Sequence, residues 1–328
     1  MKKIIFPCIV FLLLLSVQSF GQDVSFSQLY ANPMYLNPAF AGTGTSQRIG
    51  MNYRNEWPGI TGNDVTYNLS YDRNFIDSSN GIGILANREI SGYSQEYTTY
   101  SLSIIYSHQF HIKSFTVSAG MQATYWNKSI DPTKIIYPDP IIGSVWPETE
   151  WLLRTSVSEP DFSGGVLVYR ENYFAGFSVS HFTQYDESFT DVESFLRTKY
   201  IFNAGAMFHI RSITLSPTVL FENQGTFHQQ EFEGYLTKGH LTAGVGFSFQ
   251  EQAYNYYIEQ GPDYFWWNDM NFTIGYQCKL FHIGYSYYTD LSKLTLATAG
   301  THEGSLAFLI PYKLSNRHKV NGINCPSL

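Results

Sequence analysis

Cysteine and histidine are the residues of this chain that could bind a metal or act as reactive thiols, and their spacing supports neither role. Cys8 lies in an apolar amino-terminal run, which leaves Cys278 and Cys325 farther along. The sequence contains no CxxC pair and no zinc-type spacing. His108 and His111 have no carboxylate pattern beside them, so we expect a structural role for both. The sequence predicts no metal and no cofactor.

Motifs for covalent catalysis and phosphate binding are also absent from the sequence. There is no GxSxG elbow. Three glycine pairs lack the third glycine of a dinucleotide-binding loop: Gly42/Gly44, Gly81/Gly83 and Gly244/Gly246. We therefore expect that the protein is not an enzyme. A membrane hydrolase stays an alternative, because such an enzyme can carry its catalytic residues on strand faces without a linear motif.

Charged side chains form a group on the first strand-like segment. Arg48, Arg54 and Glu56 share one face if that segment alternates with period two, and Asp72 lies on the next segment. Charged groups on a buried face need partners. The group is either a structural ion network or a ring that holds another stretch of chain. We favour a network that holds residues 26–42.

The first 21 residues have the pattern of a signal peptide. Lys2 and Lys3 precede an apolar run from Ile4 to Val17, and Ser19-Phe20-Gly21 supplies a small-x-small cleavage signal. The run is too short for a transmembrane helix. We expect an exported protein. Losing two lysines and no acids changes the net charge from −7 to −9, which argues against a nucleic-acid partner.

Composition narrows the structural class to two candidates. Aromatic residues make up 17% of the chain and charged residues only 14%, against about 25% charged in ordinary soluble domains. After residue 21 no apolar run approaches the roughly 18 residues of a membrane helix. An exported chain can still cross a bilayer as a closed β-barrel, which satisfies every backbone group. A secreted β-sandwich would share part of this composition.

The strand pattern decides between barrel and sandwich. In residues 115–125 apolar and aromatic side chains alternate with Thr116, Ser118, Gly120 and Gln122, and residues 65–72, 241–250 and 281–287 repeat the pattern. The polar face of a sandwich would look outward and carry Lys and Glu. Small polar residues instead suit a crowded barrel interior. We predict an all-β, up-and-down antiparallel transmembrane β-barrel.

About 14 strand-like segments follow one another along the chain, within the range of single-chain outer-membrane barrels. They are 44–56, 63–73, 80–90, 95–109, 112–127, 159–170, 172–184, 196–210, 212–224, 227–237, 239–250, 268–278, 280–290 and 302–313.

The lengths of the connections support this count. Tight turns at 170–172, 210–211, 238–239 and 279 fall on one predicted side. The long connections 128–158, 185–195, 251–267 and 291–301 fall on the other. Short turns are periplasmic in outer-membrane barrels, so we expect both mature termini in the periplasm. Cys278 and Cys325 then lie on the same side and a bridge is conceivable, although we favour two free thiols.

The loop 251–267 carries seven aromatic residues, and its role stays open. Its tyrosines favour a contact surface or a cover over the barrel mouth. Trp266 and Trp267 either belong to that loop or begin the next strand as part of the interfacial aromatic girdle.

Residues 22–43 are neither leader nor strand, and we call them the amino-terminal segment. Two steps, Asn32-Pro33 and Asn37-Pro38, bias the asparagines away from helical conformation and remove two backbone donors. The large apolar side chains are too many for a solvated linker. The segment is either a plug or docking element, or a loop that merely packs on a core. The candidate plug or partner-binding residues are Asn32, Pro33, Tyr35, Leu36, Asn37, Pro38 and Phe40.

We predict that this segment starts on the periplasmic side, beside the first strand, and enters the lumen or caps its opening. The Asn32 and Asn37 amides would then bond to luminal Arg, Ser and Thr groups. Arg48, Arg54 and Glu56 would point into the same lumen.

The opening block also carries a family resemblance. The pattern FSQ…NP…LNPAFAG over residues 26–42, followed by an arginine-bearing strand and Glu56-Trp57-Pro58-Gly59-Ile60, resembles the PorP/SprF family. Weaker similarity recurs at 161–165, 174–178, 283–287, 302–304 and 323–326.

The resemblance implies an outer-membrane protein of the type IX secretion system. It further implies that the barrel aids the secretion or surface attachment of a gliding-type adhesin or cargo protein with a C-terminal sorting domain. Its other implied partners are outer-membrane lipid and the periplasmic ring or peptidoglycan-linked components of the machine. A passive pore or small hydrophobic-solute channel is the alternative function. The predicted organisation is signal peptide 1–21, amino-terminal segment 22–43, barrel 44–314 and periplasmic tail 315–328.

Overall fold

The computed structural model describes residues 23–26, 28–75, 79–135, 154–254, 263–291 and 295–312. The predicted signal peptide, the predicted tail and Cys325 lie outside the described residues. So do the centres of the long connections around residues 145 and 258.

In this described part of the chain, fifteen strand segments form one antiparallel sheet. They are β1 (Ser46–Glu56), β2 (Asp64–Asn74), β3 (Asn80–Ser91), β4 (Tyr97–Ile112), β5 (Phe115–Ile130), β6 (Ser156–Arg170), β7 (Tyr173–Ser180), β8 (Lys199–Ala206), β9 (Phe208–Ile210), β10 (Ile213–Gln224), β11 (Phe227–Lys238), β12 (Leu241–Tyr254), β13 (Asp263–Gln277), β14 (Phe281–Asp290) and β15 (Thr301–Pro311). Each pairs with its chain neighbours, except that β8 and β9 both pair with β10, and β1 pairs with β15. The sheet is therefore a closed barrel.

The segments β8 and β9 are one barrel strand with an interruption at Met207. Both pair with β10, and the Met207 N–H turns away to donate to the Asn172 oxygen at 2.8 Å. The barrel therefore has 14 strands. The predicted fold class and strand number are confirmed.

The alternation predicted from the sequence sets the two faces of the sheet. On β4, Leu102 and Ile104 are 53% and 69% exposed, whereas Ser103 between them is 1% exposed. Period two puts every second side chain on the outer wall, where a bilayer would cover it. The apolar face looks outward and the small polar face looks into the lumen, as predicted.

The two ends of the barrel differ in the length of their connections. At the turn end, residues 113–114, 171–172, 211–212, 239–240 and 278–280 join the strands. Lys113 and Arg211 have φ of 55° and 56°, the left-handed conformation that two-residue hairpins require. At the loop end the connections are longer, apart from the two residues 225–226.

Several predicted boundaries were wrong. β7 ends at Ser180 and β8 begins at Lys199, so the connection between them is longer than 185–195. β12 continues to Tyr254 and β13 begins at Asp263. Trp266 and Trp267 therefore lie in strand backbone, paired with Glu251 and Gln250, rather than in a loop.

Helices make a small contribution. Neither Pro33–Leu36 nor Thr295–Thr298, the α-helices within the described ranges, is long and apolar enough to span a membrane.

Candidate functional site

The lumen of the barrel contains the amino-terminal segment, described here from Asp23 with a gap at residue 27. Gln28, Asn37 and Ala39 are completely buried, and Met34 and Phe40 are nearly so. Apolar contacts hold it to the wall because Tyr30, Met34 and Phe40 share one cluster with six inward-facing residues of five strands. Those residues are Leu85, Ile105, Leu167, Tyr169, Phe174 and Tyr235.

The wall also recognises the backbone of the segment. Four of the segment's carbonyl groups accept hydrogen bonds from five side chains on four strands. These bonds are Ser178 Oγ to Leu36 O at 2.6 Å, Ser118 Oγ to Ala39 O at 2.8 Å, Ser107 Oγ to Ala41 O at 2.7 Å, and Gln109 Nε2 and Asn74 Nδ2 to Gly42 O at 3.0 Å each. The small polar side chains of the sheet therefore bind backbone carbonyl groups of the segment that are not paired in the sheet.

Asn37 is the most fully bonded of the predicted segment residues. Its Nδ2 donates to the carbonyl oxygens of Val166 and Phe177, at 3.1 and 3.3 Å. Its Oδ1 accepts from Ala39 N at 2.9 Å and so starts the 3₁₀ turn Pro38–Phe40. One buried side chain thus fixes both the turn and its place on β6 and β7.

Two glycines allow the segment to approach the wall this closely. A Cβ on Gly165 would lie 2.1 Å from Asn37 Oδ1, and one on Gly120 would lie 2.4 Å from Ala39 N. Any larger residue would have to push the segment away from the sheet. The glycines of the luminal face are therefore part of the segment's binding site.

The other predicted segment residues have different surroundings. Pro33 begins the helix Pro33–Leu36. Tyr35 donates its hydroxyl to Val24 O at 2.6 Å and stacks edge-on against Phe26. Leu36 packs with Leu29, Ile201 and Leu220.

The expectation for the asparagine amides was wrong in its detail. Asn37 donates to strand carbonyls, not to luminal Arg, Ser or Thr side chains. Asn32 is 2% exposed, and its side-chain amide has no hydrogen-bond partner within the described residues.

The predicted luminal charges form two separate pairs. Arg48 Nε lies 3.0 Å from Asp72 Oδ1, and Asp72 Oδ2 accepts from Gly42 N at 3.0 Å. Arg54 Nη2 lies 2.8 Å from Glu56 Oε2, toward the loop end. The first pair contacts the amino-terminal segment directly. The two pairs do not make one ring.

A charged network that the sequence did not reveal surrounds Asp23. His181 donates from Nε2 to Asp23 Oδ2 at 2.7 Å, and its Nδ1 lies 2.9 Å from Asp161 Oδ2. Lys199 Nζ lies 3.8 Å from Asp23 Oδ2 and 2.8 Å from Glu222 Oε1. These groups are far apart in sequence and share no motif, so only their inward-facing strand positions could have hinted at them.

The location of Asp23 corrects the predicted path of the segment. Its partners lie where β7 ends and where β8 begins, at the loop end, and Asp23 N also donates to Gln224 at the end of β10. Gly42 lies beside Asp72 and Asn74 at the turn end. The segment therefore runs through the lumen toward β1 instead of starting beside it.

The charges around Asp23 stabilise its position in the lumen. Burial lowers the pKa of His181, but the nearby carboxylates of Asp23 and Asp161 have the larger effect and raise it from 6.5 to about 10. Burial also opposes ionisation of Asp23, yet His181 and Lys199 hold the pKa of its carboxyl below the ordinary value.

We expect this network to weaken in alkali. Because the folded-state pKa of His181 is raised, its stabilisation is complete below pH 6.5 and is lost as the pH rises through about 10. The free energy of unfolding of wild type minus that of His181→Gln should therefore shrink across this window. Chemical denaturation in detergent at several pH values measures it, and a difference that stays constant to pH 11 contradicts the assignment.

The two histidines singled out in the sequence form local hydrogen bonds. His108 Nδ1 contacts Asn80 Oδ1 at 2.8 Å and His111 Nδ1 contacts Thr116 Oγ1 at 3.1 Å, both local structural bonds. Within the residues described, no group of three or more His, Cys, Asp or Glu could hold a metal ion.

Comparison with known proteins gives a family and a fold. The model of the family described as "Type IX secretion system membrane protein PorP/SprF" matches residues 18–308. No protein with curated annotation matches the chain.

Among solved structures, a TodX ΔS2S3 mutant monoaromatic hydrocarbon channel is similar at a TM-score of 0.53 and 11% identity, covering 85% of this chain and 94% of that one. The CymD monoaromatic hydrocarbon channel has a TM-score of 0.48 at 12% identity, covering 88% and 93%. A Pseudomonas aeruginosa FadL homologue has a TM-score of 0.48 at 8% identity, covering 88% and 98%. At such identities the likeness concerns the barrel fold alone.

Proposed function

This chain belongs to the type IX secretion system membrane protein family PorP/SprF, and from that premise we propose that it aids the secretion or surface attachment of a partner protein. The partner is a secreted adhesin or cargo protein with a C-terminal sorting domain. The chain also contacts periplasmic components of the secretion machine.

The observation that carries this proposal is the filled lumen. The amino-terminal segment forms hydrogen bonds to β2 and to β15 and an ion pair with His181, so both of its ends are held by polar contacts. A passive pore needs an open path, whereas this lumen is built around its own chain. An interior that holds polypeptide supports a role with a partner chain over a role as a passive pore.

In this proposal the amino-terminal segment acts as the plug, with Asn37, Leu36 and Phe40 as its anchors. Asp72, which is paired with Arg48, accepts a hydrogen bond from Gly42 N and so holds the segment where it leaves the lumen at the turn end. The loops and the loop-end mouth are then the surfaces left for a partner that arrives outside the cell. The turns face the periplasm, as in other outer-membrane barrels.

The test compares the surface proteins of cells with and without this chain. We expect one or a few secreted proteins with a C-terminal sorting domain to leave the surface fraction and appear in the medium or fail to be secreted. Expression of the wild-type chain in the deleted cells should restore them. An unchanged surface proteome combined with altered uptake of small hydrophobic solutes would favour the channel alternative.

A further inference from the structure

The outer wall of the barrel carries a shallow groove with a volume of about 1470 Å³. Most of its lining residues are outward-facing residues of β1 to β4 and of β11 to β15. These side chains fall into two adjacent rows of paired residues. One row includes Tyr100, Arg88, Tyr67, Tyr53 and Gly304 and continues to Leu236.

The rows cross the thickness of the membrane. Nine strands at about 4.8 Å spacing cover roughly 40 Å along a row. Strands in outer-membrane barrels tilt by about 35–45°, so such a row climbs roughly 25 Å, which is the height of the apolar band. The groove therefore reaches from one membrane surface toward the other.

A glycine makes the floor of the groove. Gly304 is paired with Tyr53 on one side and Tyr285 on the other, and both tyrosines stand out from the wall. A Cβ built on Gly304 would meet no heavy atom within 4 Å. The groove is thus a space between aromatic side chains that an extended apolar chain can occupy.

One cation, Arg88, lies in this row near the loop end, whereas the other cation of the groove, Lys238, lies in the second row at the turn end. Arg88, three residues before the end of β3, is exposed on the outer wall between Tyr67 and Tyr100. Its guanidinium lies 5.5 Å from the centre of the Tyr100 ring. No carboxylate within the described residues forms an ion pair with Arg88. A charge that faces the membrane without a counter-ion needs an anionic partner from outside the chain.

We propose that this groove is a binding site for an anionic phospholipid. The lipid phosphate accepts hydrogen bonds from the Arg88 guanidinium, which suits phosphate geometry. The acyl chains lie over Gly304 between Tyr53 and Tyr285. The charge near the membrane surface and the apolar floor beyond it match the two parts of a lipid. A second copy of the chain would need a complementary ridge and an acid to meet Arg88.

The test measures lipids retained by the purified chain in native mass spectrometry. The probes are phosphatidylglycerol and phosphatidylcholine with identical acyl chains, added to protein in detergent. Wild type should retain phosphatidylglycerol about tenfold better, the scale of one charge-assisted hydrogen bond. Arg88→Gln should lose this preference. Gly304→Leu places a large side chain on the floor of the groove and should retain neither lipid.

Matched controls change the wall elsewhere. Arg170→Gln removes an exposed arginine at the turn end of β6, and Ala175→Leu enlarges an exposed position on β7. Both should behave as wild type.

Several outcomes would overturn the proposal. Equal retention of the two lipids by wild type, or a preference that survives Arg88→Gln, would show that Arg88 does not bind the lipid headgroup. Full retention of lipid by Gly304→Leu would show that the acyl chains do not lie in the groove. If wild type is a dimer, Gly304→Leu is a monomer and both retain the same lipids, then the groove is occupied by another copy of the chain.

Discussion

Deleting residues 23–43 is expected to turn a silent barrel into a conducting one. The deletion removes every described segment side chain from the lumen and leaves the pairing of β1 with β2 and β15 in place. The exposed inner wall is rich in Ser, Thr, Asn and Gln and would hold water. Single-channel recording in planar bilayers should show no current steps for the wild-type chain and discrete open steps for the deletion variant.

The control for this experiment is barrel integrity. A folded barrel resists unfolding in cold detergent, so its heat-dependent migration on a gel reports whether the deletion variant is closed. A closed deletion variant without current would contradict a lumen blocked by this segment. Large steady currents through the wild-type chain would contradict it as well, and would favour the channel alternative.

Replacing Asn37 with alanine should cause a large loss of stability. The change removes three hydrogen bonds and leaves the buried Ala39 N–H without its acceptor, whereas the Val166 and Phe177 carbonyls stay in paired strands. At about 0.5–1.5 kcal/mol for each hydrogen bond to a strand carbonyl and about 1–3 kcal/mol for the unsatisfied amide, we expect a loss of roughly 2–6 kcal/mol in the free energy of unfolding. Denaturant titration in detergent measures this loss.

Asn127→Ala is the matched control. Asn127 lies on β5 and also donates to two partners, Ser156 and Ser158, but at an exposed position where water can replace them. Its loss should be below about 1 kcal/mol. Equal effects of the two variants would mean that Asn37 is not buried in the folded chain.

The barrel was predictable because its determinants are local. Alternation such as that of Phe115 to Tyr125 specifies a strand with two unlike faces, and the short turns specify which strands are neighbours. The break at Met207 was not predictable, since the chain on both sides of it keeps the strand pattern. Trp266 and Trp267 were ambiguous for a similar reason, because aromatic residues suit both a loop surface and a strand.

The interior of the lumen was less predictable than its wall. The two Asn-Pro steps marked the segment, but they look alike in sequence. Only Asn37 lies opposite Gly165 and Gly176, where the wall gives its amide access to strand carbonyls. Asn32 has no such opening among the described residues.

The network at Asp23 was unpredictable for a different reason. His181 is separated from Asp23 by 158 residues, and the two meet because barrel closure brings them together. No local pattern carries that information. The direction of the segment through the lumen depends on this contact, which is why its starting point was placed at the wrong end.

Disulfide trapping between the segment and the wall, in whole membranes, is the most direct test of the central claim. The chain should carry Ala39→Cys with Ser118→Cys, and serine in place of Cys278 and Cys325. Ser118 Oγ lies 2.8 Å from Ala39 O and both residues are completely buried. The control pairs Ala39→Cys with Ala119→Cys, the next residue on β5, which faces outward. We expect a bridge for the first pair and none for the second. No bridge for either pair, together with labelling of the cysteine at position 39 by a bulky membrane-impermeant thiol reagent, would place the segment outside the lumen and contradict the account.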